Sequence, residues 1–202
     1  MKQAVQKVSG PYVLLQRDDI DTDALFPAEY LTVTTKTGMR QYLFADWLRN
    51  GNPEAAFVAQ SQPADVLIAP RNFGCGSSRE HAVWALADYG VKAIIALSFG
   101  DIFRNNCVKN KVVAAQVSPA THAALTDALQ ALGAHTQLTL DVASQRIELG
   151  NGQHFDFELA AGHAEQLMSA EDDIDRTLRH ENALRAHESR LALTAPWLVP
   201  AA

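Results

Sequence analysis

Cysteine is scarce. The 202 residues contain only Cys75 and Cys107, too few for a disulfide framework and short of the four thiolates an iron–sulfur cluster ordinarily takes. Positive charge is also in deficit. With 17 basic against 23 acidic side chains and a net charge of −6, the chain offers no basic stripe for nucleic acid or an anionic membrane surface. No apolar run approaches the roughly 20 residues that span a bilayer. The opening MKQAVQKVSG has no apolar signal-peptide core. The expected setting is the reducing cytoplasm, with neither nucleic acid nor membrane as a partner. Repeats and low-complexity linkers are absent too. At 48% hydrophobic residues the chain can bury a real core. We expect a single domain over 1–192, including a C-terminal helix, and a loosely held tail at 193–202.

What is present reads as α/β. ADVLIAP (64–70) is a short apolar run ending in proline, suited to a buried strand. SSREHAVWALADYG follows, with Ala82, Val83, Ala85, Leu86 and Tyr89 at helical spacing and Gly90 at the stop. VKAIIALS (91–98) predicts the next strand and completes a parallel βαβ unit. VVAAQV (112–117) predicts a third. The next helix should be capped by Ser118, with Pro119 in its first turn, Leu125, Leu129 and Leu132 on one face, and Gly133 at its end. QLTLDV, RIEL and HFDFEL alternate with period two, the last two joined by a tight hairpin at GNG (150–152). A final helix is expected from Ser169, with Asp172 as a capping-box partner and Ile174, Leu178 and Leu184 along it.

Chemistry concentrates in RNFGCGSSREHA (71–82), and four readings compete. A dinucleotide turn would need a third glycine where Arg79 stands. Cys75 as nucleophile with His81 as base lacks an orienting third group. A purely structural turn would have Ser77 or Ser78 cap the helix, with Arg79 and Glu80 solvated. The fourth reading makes Ser77 a base and Arg79 a carboxylate clamp. Backbone amides at a helix N-terminus favour negative charge, and glycines let that backbone come close. A serine oxygen held there can take a proton, and a guanidinium two residues on matches a carboxylate. Such a site removes a proton beside a carboxylate. It lacks a Lewis acid to draw off the departing hydroxyl.

NFGCGSSREHA followed by WAL, with SFGDIFRNN (98–106) downstream and DDIDTDALFPAEYL (18–31) upstream, closely resembles the small subunit of 3-isopropylmalate dehydratase. Its counterpart in the aconitase superfamily is the swivel domain. The resemblance covers about residues 10 to 180, with the three motifs in the family's order. It implies a three-layer β/β/α swivelling domain paired with a large subunit that carries a [4Fe–4S] cluster, no cofactor being bound by this chain. The implied reaction is isomerisation of 2-isopropylmalate to 3-isopropylmalate through 2-isopropylmaleate, in leucine biosynthesis. In this resemblance Ser77 takes the proton and Arg79 holds a carboxylate of the small dicarboxylate substrate. Gly76 and Ser78 shape the loop around the serine oxygen.

The rim residues carry both functional and structural readings. Asp21 and Asp23 in DTD either order the site, Asp23 in the supporting role, or form an Asx turn. YLTVTTKTGMRQYLF (30–44) resembles the loop that contacts the substrate's variable group, with Lys36 and Thr37 as binding or loop-shaping residues. Lys36 stands where many relatives carry arginine; its alternative is a solvated charge. His81 is expected behind the site as a packed or supporting residue, and Cys107 as a small buried side chain. Three departures from the family pattern stand out: Val83 for proline, Asn110–Lys111 for an asparagine–glycine turn, and Asp175 for glycine. They leave two further readings open. One is a paralogous subunit acting on citraconate, 2-methylmalate or homoaconitate, substrates separated by about 1–3 kcal/mol of pocket contacts. The other is a non-catalytic binding or regulatory subunit.

Overall fold

The computed structural model describes residues 4–59, 64–133 and 136–198. The chain falls into two compact units, one from Ala4 to Ser169 and one from Ala170 onward. The first opens with strands β1 (Lys7–Gly10) and β2 (Tyr12–Leu14), followed by the short helices α1 (Thr22–Leu25) and α2 (Ala45–Arg49). Strand β3 (Val66–Ala69), helix α3 (Glu80–Tyr89), β4 (Ala93–Ala96), α4 (Asp101–Lys109) and β5 (Val113–Gln116) then alternate. Helix α5 (Pro119–Leu132), strands β6 (Leu138–Asp141), β7 (Arg146–Leu149) and β8 (His154–Asp156), and helix α6 (His163–Met168) complete the unit.

Two sheets result. Strands β2, β3, β4 and β5 lie side by side in that order, all parallel. Strands β1, β6, β7 and β8 form an antiparallel sheet. The parallel strands are apolar on both faces, which is what a sheet covered on both sides requires. Leu67, Ala69, Ile94 and Ala96 join a core with residues of α1, α3 and α4. Val66, Ile68, Ala93 and Ile95 join a second core with Leu138, Leu140, Ile147 and Leu149 of the antiparallel sheet and Leu125 and Leu129 of α5. Helices, parallel sheet and antiparallel sheet are therefore the three expected layers. Helix α5 keeps its expected bounds: Ser118 accepts from Thr121 N, Pro119 opens the helix and Gly133 ends it. Leu132 lies off its buried face.

The C-terminal helix expected from Ser169 is broken. Ser169 ends α6, its N–H bonded to the Glu165 carbonyl. The second unit then holds α7 (Asp173–Leu178) and α8 (Glu181–Thr194). Asp172 is extended, accepts from the Ile174 and Asp175 amides, and receives the Asp175 side chain on its own N–H. That reciprocal capping box starts a helix at this point and prevents one from running through it. Asp175, where the family resemblance leads one to expect glycine, is half of the box. Helix α8 continues through 193 and 194, and a 3-10 turn follows at Pro196–Leu198. The rest of the expected tail lies outside the described residues.

Lys111 carries a second departure. Its φ is +61°, a left-handed conformation that costs a non-glycine residue about 1 kcal/mol or more. The ammonium offsets this by donating to the Gln166 carbonyl and, at 2.7 Å, to the Ser169 carbonyl, at the C-terminal end of α6. Lys111→Met keeps the strained backbone and removes the charge. It should lower stability by about 1–2 kcal/mol, read as an earlier urea midpoint with an unchanged slope.

Candidate active site

The glycine loop links the end of β3 to α3 and lies against the segment leaving β4. Phe73 N donates to Ser98 O and Gly100 N to Phe73 O, each at 3.0 Å. Two glycines permit this approach. A Cβ on Gly100 would sit 2.5 Å from the Gly74 carbonyl oxygen, and one on Gly74 would meet the Phe103 ring at 2.1 Å. On the other side the loop is laced to the DTD motif. Gly74 N donates to Ile20 O at 2.7 Å and Thr22 N to Cys75 O at 2.9 Å. Buried Thr22 then donates its hydroxyl to the Ser77 carbonyl at 2.8 Å.

Gly76, at φ +89°, lets the chain turn outward. Ser77 and Ser78 are exposed, and Arg79 occupies the cap position of α3 without a side-chain cap. Neither serine caps the helix as the structural-turn reading expected. The Ser77 carbonyl is held by Thr22 and by the Arg79 amide at 2.8 Å, while its hydroxyl has no hydrogen-bond partner among the described residues. The first turn of α3 thus keeps amides that no side chain satisfies, beside an open serine oxygen.

Arg79 is not solvated: its side chain is only 11% exposed. Both terminal nitrogens grip the Asp23 carboxylate, Nη2 at 3.0 Å to Oδ2 and Nη1 to Oδ1, and Nη1 also donates to the Phe26 carbonyl at 3.2 Å. That commits the end of the guanidinium and leaves its Nε–Nη2 edge for another acceptor. The Arg79 hydrogen bonds hold the Asp23 carboxyl below the usual carboxylate range against a smaller opposing effect of burial. Asp21 does different work, capping α1 through Ala24 N at 2.7 Å. Asp19, Asp21, Asp23 and Asp46, with Arg17, line an open cleft of about 330 Å³. Four carboxylates against one arginine make this cleft unfavourable for an anionic ligand.

Cys75 makes a poor nucleophile, because burial and then Asp21 and Asp19 push its thiol up. Cys107 is fully buried and its thiol is pushed far up by burial alone. Among the described residues, no three of His, Cys, Asp and Glu gather where they could hold a metal ion.

The remaining candidates lie on the flank of α3. Met39–Tyr42 forms a 3-10 turn, and Met39, Leu43 and Phe44 are fully buried, so only the first part of the expected loop, 31–38, is mainly exposed. Within it Thr37 is exposed, its carbonyl accepting from Thr35 at 3.3 Å. His81 is packed between Phe26 and Trp84, and its Nε2 lies 3.0 Å from the Val33 carbonyl. Lys36 stands 4.5 Å above the Trp84 ring, 3.9 Å from Glu80 Oε1 and 3.5 Å from Asn110 Oδ1. Ser77, Arg79, Asp23 and Gly76 therefore meet in one place through Thr22 and the ion pair, while Lys36 and His81 meet around Trp84. Sequence reasoning missed Thr22, Glu80, Trp84 and Asn110. The signals were the threonine enclosed by DTD and the Glu80–Trp84 spacing of one helical turn.

Residues 2–120 match the family model described as the aconitase C-terminal domain. Residues 173–201 match the model described as the C-terminal domain of the 3-isopropylmalate dehydratase small subunit. The 3-isopropylmalate dehydratase small subunit of Roseiflexus sp. (strain RS-1) is 41% identical over 194 residues, 93% of this chain and 94% of that one. The chain belongs to the 3-isopropylmalate dehydratase small-subunit family. The small subunit of Agrobacterium fabrum is 38% identical over 95% of this chain and 97% of its own. A crystal structure of 3-isopropylmalate dehydratase from Methanocaldococcus jannaschii superposes with a TM-score of 0.66 at 27% identity, covering 90% of this chain and 99% of that one. The small-subunit family takes its name from a hydro-lyase, and a small subunit implies a large one.

Two outcomes test this scaffold. Asp23 has a lowered folded-state pKa, so its stabilising effect is complete above the unfolded value, about 3.9, and is lost as pH falls through the folded one. The stability gap between wild type and Asp23→Asn should be constant near neutrality and close below about pH 4, measured by urea unfolding across pH. Thr22→Val, which keeps shape and deletes the bond to Ser77, should cost about 1–2 kcal/mol in the same assay.

Proposed function

We propose that this chain, with an iron–sulfur large subunit, interconverts 2-isopropylmalate and 3-isopropylmalate by dehydration and rehydration through 2-isopropylmaleate, a step of leucine biosynthesis. The observation that carries the reading is the exposed Ser77 hydroxyl, without a partner among the described residues, beside the uncapped start of α3 and two residues from a fixed arginine. The names of the relatives support the substrate.

In this mechanism Ser77 enters as the alkoxide, its charge stabilised by the free amides of α3. It takes the proton from the carbon beside a carboxylate; the electron pair of that bond forms the alkene as the hydroxyl leaves the neighbouring carbon. Rehydration then places the proton on the carbon that lost the hydroxyl and the hydroxyl on the carbon that lost the proton, which completes the isomerisation. Arg79 offers its Nε–Nη2 edge to a substrate carboxylate, and Asp23 keeps the guanidinium turned so that this edge faces outward. Gly76 and Ser78 shape the loop, and Lys36, Thr37 and His81 belong to the rim. The Lewis acidity for hydroxyl departure is expected from a [4Fe–4S] cluster on the large subunit. Two cysteines, one of them fully buried, do not fit this chain for holding it. A cytoplasmic location, expected from the unpaired cysteines, belongs to the same proposal. Among the described residues no helix is long and apolar enough to cross a membrane.

Ser77→Ala in the anaerobically assembled two-subunit enzyme should lower kcat for 2-isopropylmalate by roughly 10²–10⁴-fold while leaving assembly intact. Unchanged turnover would remove Ser77 as the base and favour a non-catalytic subunit. Full wild-type activity on citraconate or homoaconitate, with none on 2-isopropylmalate, would keep the mechanism and replace the substrate.

A further inference from the structure

The Lys36 side chain is 54% exposed, yet its ammonium lies against the flank of α3 over a preformed set of partners. Beneath it lies the Trp84 ring at 4.5 Å. Beside it lies the Glu80 carboxylate, whose Oε1 is already held by Trp84 Nε1–H at 3.1 Å and Asn110 Nδ2–H at 2.9 Å. Asn110 is itself fixed, since the same amide donates to the Asn106 carbonyl at 2.9 Å. An ordinary exposed ion pair is weak because two long side chains must be ordered together. Here three of the four side chains are mutually ordered before the lysine arrives. Burial pushes the Glu80 carboxyl up, but the Asn110 and Trp84 hydrogen bonds, with Lys36 and Lys109 nearby, bring it below its ordinary value, so the dock keeps its negative charge. A cation over an indole face adds attraction that water screens only in part.

We propose that Lys36 is a positioning residue: docked on Trp84, Glu80 and Asn110, it pins loop 31–38 to the start of α3, directly after the segment that carries Ser77 and Arg79. A second tie three residues earlier, His81 to the Val33 carbonyl at 3.0 Å, sets the loop's other end on the same helix. The loop then has one register relative to Ser77, and the side chains it presents meet the substrate at a fixed height above the helix. Lys36 acts through the loop and does not touch substrate. The kinetic consequence rests on the proposed dehydratase activity; the docking itself does not.

Two readouts on the full-length chain separate these. Amide hydrogen exchange of residues 31–38 reports the docking, in the free subunit and in the assembled enzyme. Steady-state kinetics of the assembled enzyme with 2-isopropylmalate report its use. Lys36→Met, on the exposed loop, should raise exchange across 31–38 and raise KM roughly fivefold to tenfold with kcat nearly unchanged. Trp84→Leu, or Glu80→Gln where the leucine variant folds poorly, should do the same. The double variant should be no worse than Lys36→Met alone, and Lys36→Arg should restore both readouts. Unchanged exchange in Lys36→Met would overturn the docking. Multiplying losses in the double variant would overturn it as well, making Lys36 a direct ligand. If exchange responds as stated while Ser77→Ala retains turnover, the dock stands and the assigned activity falls.

Discussion

The site depends on how closely two backbones can lie together at the carboxyl edge of the parallel sheet. The chain leaving β3 and the chain leaving β4 are in contact through Gly74 and Gly100, with too little room between them for a methyl group. That contact aligns Phe73 against Phe99, and the Phe103 ring fills the space a side chain at 74 would need. Once Gly74 is seated, Ile20 and Thr22 can bond the loop from the opposite side. Ser77 is therefore presented by a backbone held on two sides, and its hydroxyl is the part left over. A loosely held loop could carry the same residues without keeping the serine oxygen at the end of a helix.

Charge is arranged with similar economy. A nearly buried guanidinium needs a partner, and Asp23 supplies one in the end-on geometry that arginine and carboxylate favour. The same pairing dictates which edge remains for a ligand. Glu80, the next residue, faces a different direction and serves the opposite purpose, drawing a cation onto the flank of α3. Neighbouring residues of one motif thus organise two separate surfaces.

Much of this is legible in the sequence, for identifiable reasons. Val66–Ala69 and Ala93–Ala96 read as buried strands because a doubly covered sheet demands unbroken apolar runs. Helix α5 is bounded correctly because its ends carry local chemistry, Ser118 and Pro119 at one and Gly133 at the other. The C-terminal helix departs from expectation for a reason equally local: the spacing from Ser169 makes Asp172 a partner inside the first turn, whereas it is the cap. The supporting residues of the site resist reading because their roles are made by distant segments. Thr22 acts on a residue 55 positions away and Lys36 reaches Asn110 across 74, and no periodicity records such pairs. The lysine at 111 reads as a loss of the glycine the turn prefers; only the fold reveals the carbonyls that its ammonium reaches.

The parallel sheet has one more consequence. Its strands send successive residues to opposite sides, so Leu67 and Ile68, or Ile94 and Ile95, are neighbours in the chain and members of different cores. Neither the helical layer nor the antiparallel layer can peel away without wetting one whole face of those strands. The Ala4–Ser169 unit is consequently a single cooperative block, in which opening at one layer is felt at the other. The slowest-exchanging amides belong in β3 and β4, the strands flanked on both sides within the sheet and covered on both faces. The glycine loop grows directly from β3 and is bonded to the chain leaving β4, so the reactive serine hangs from the last part of the molecule to come apart.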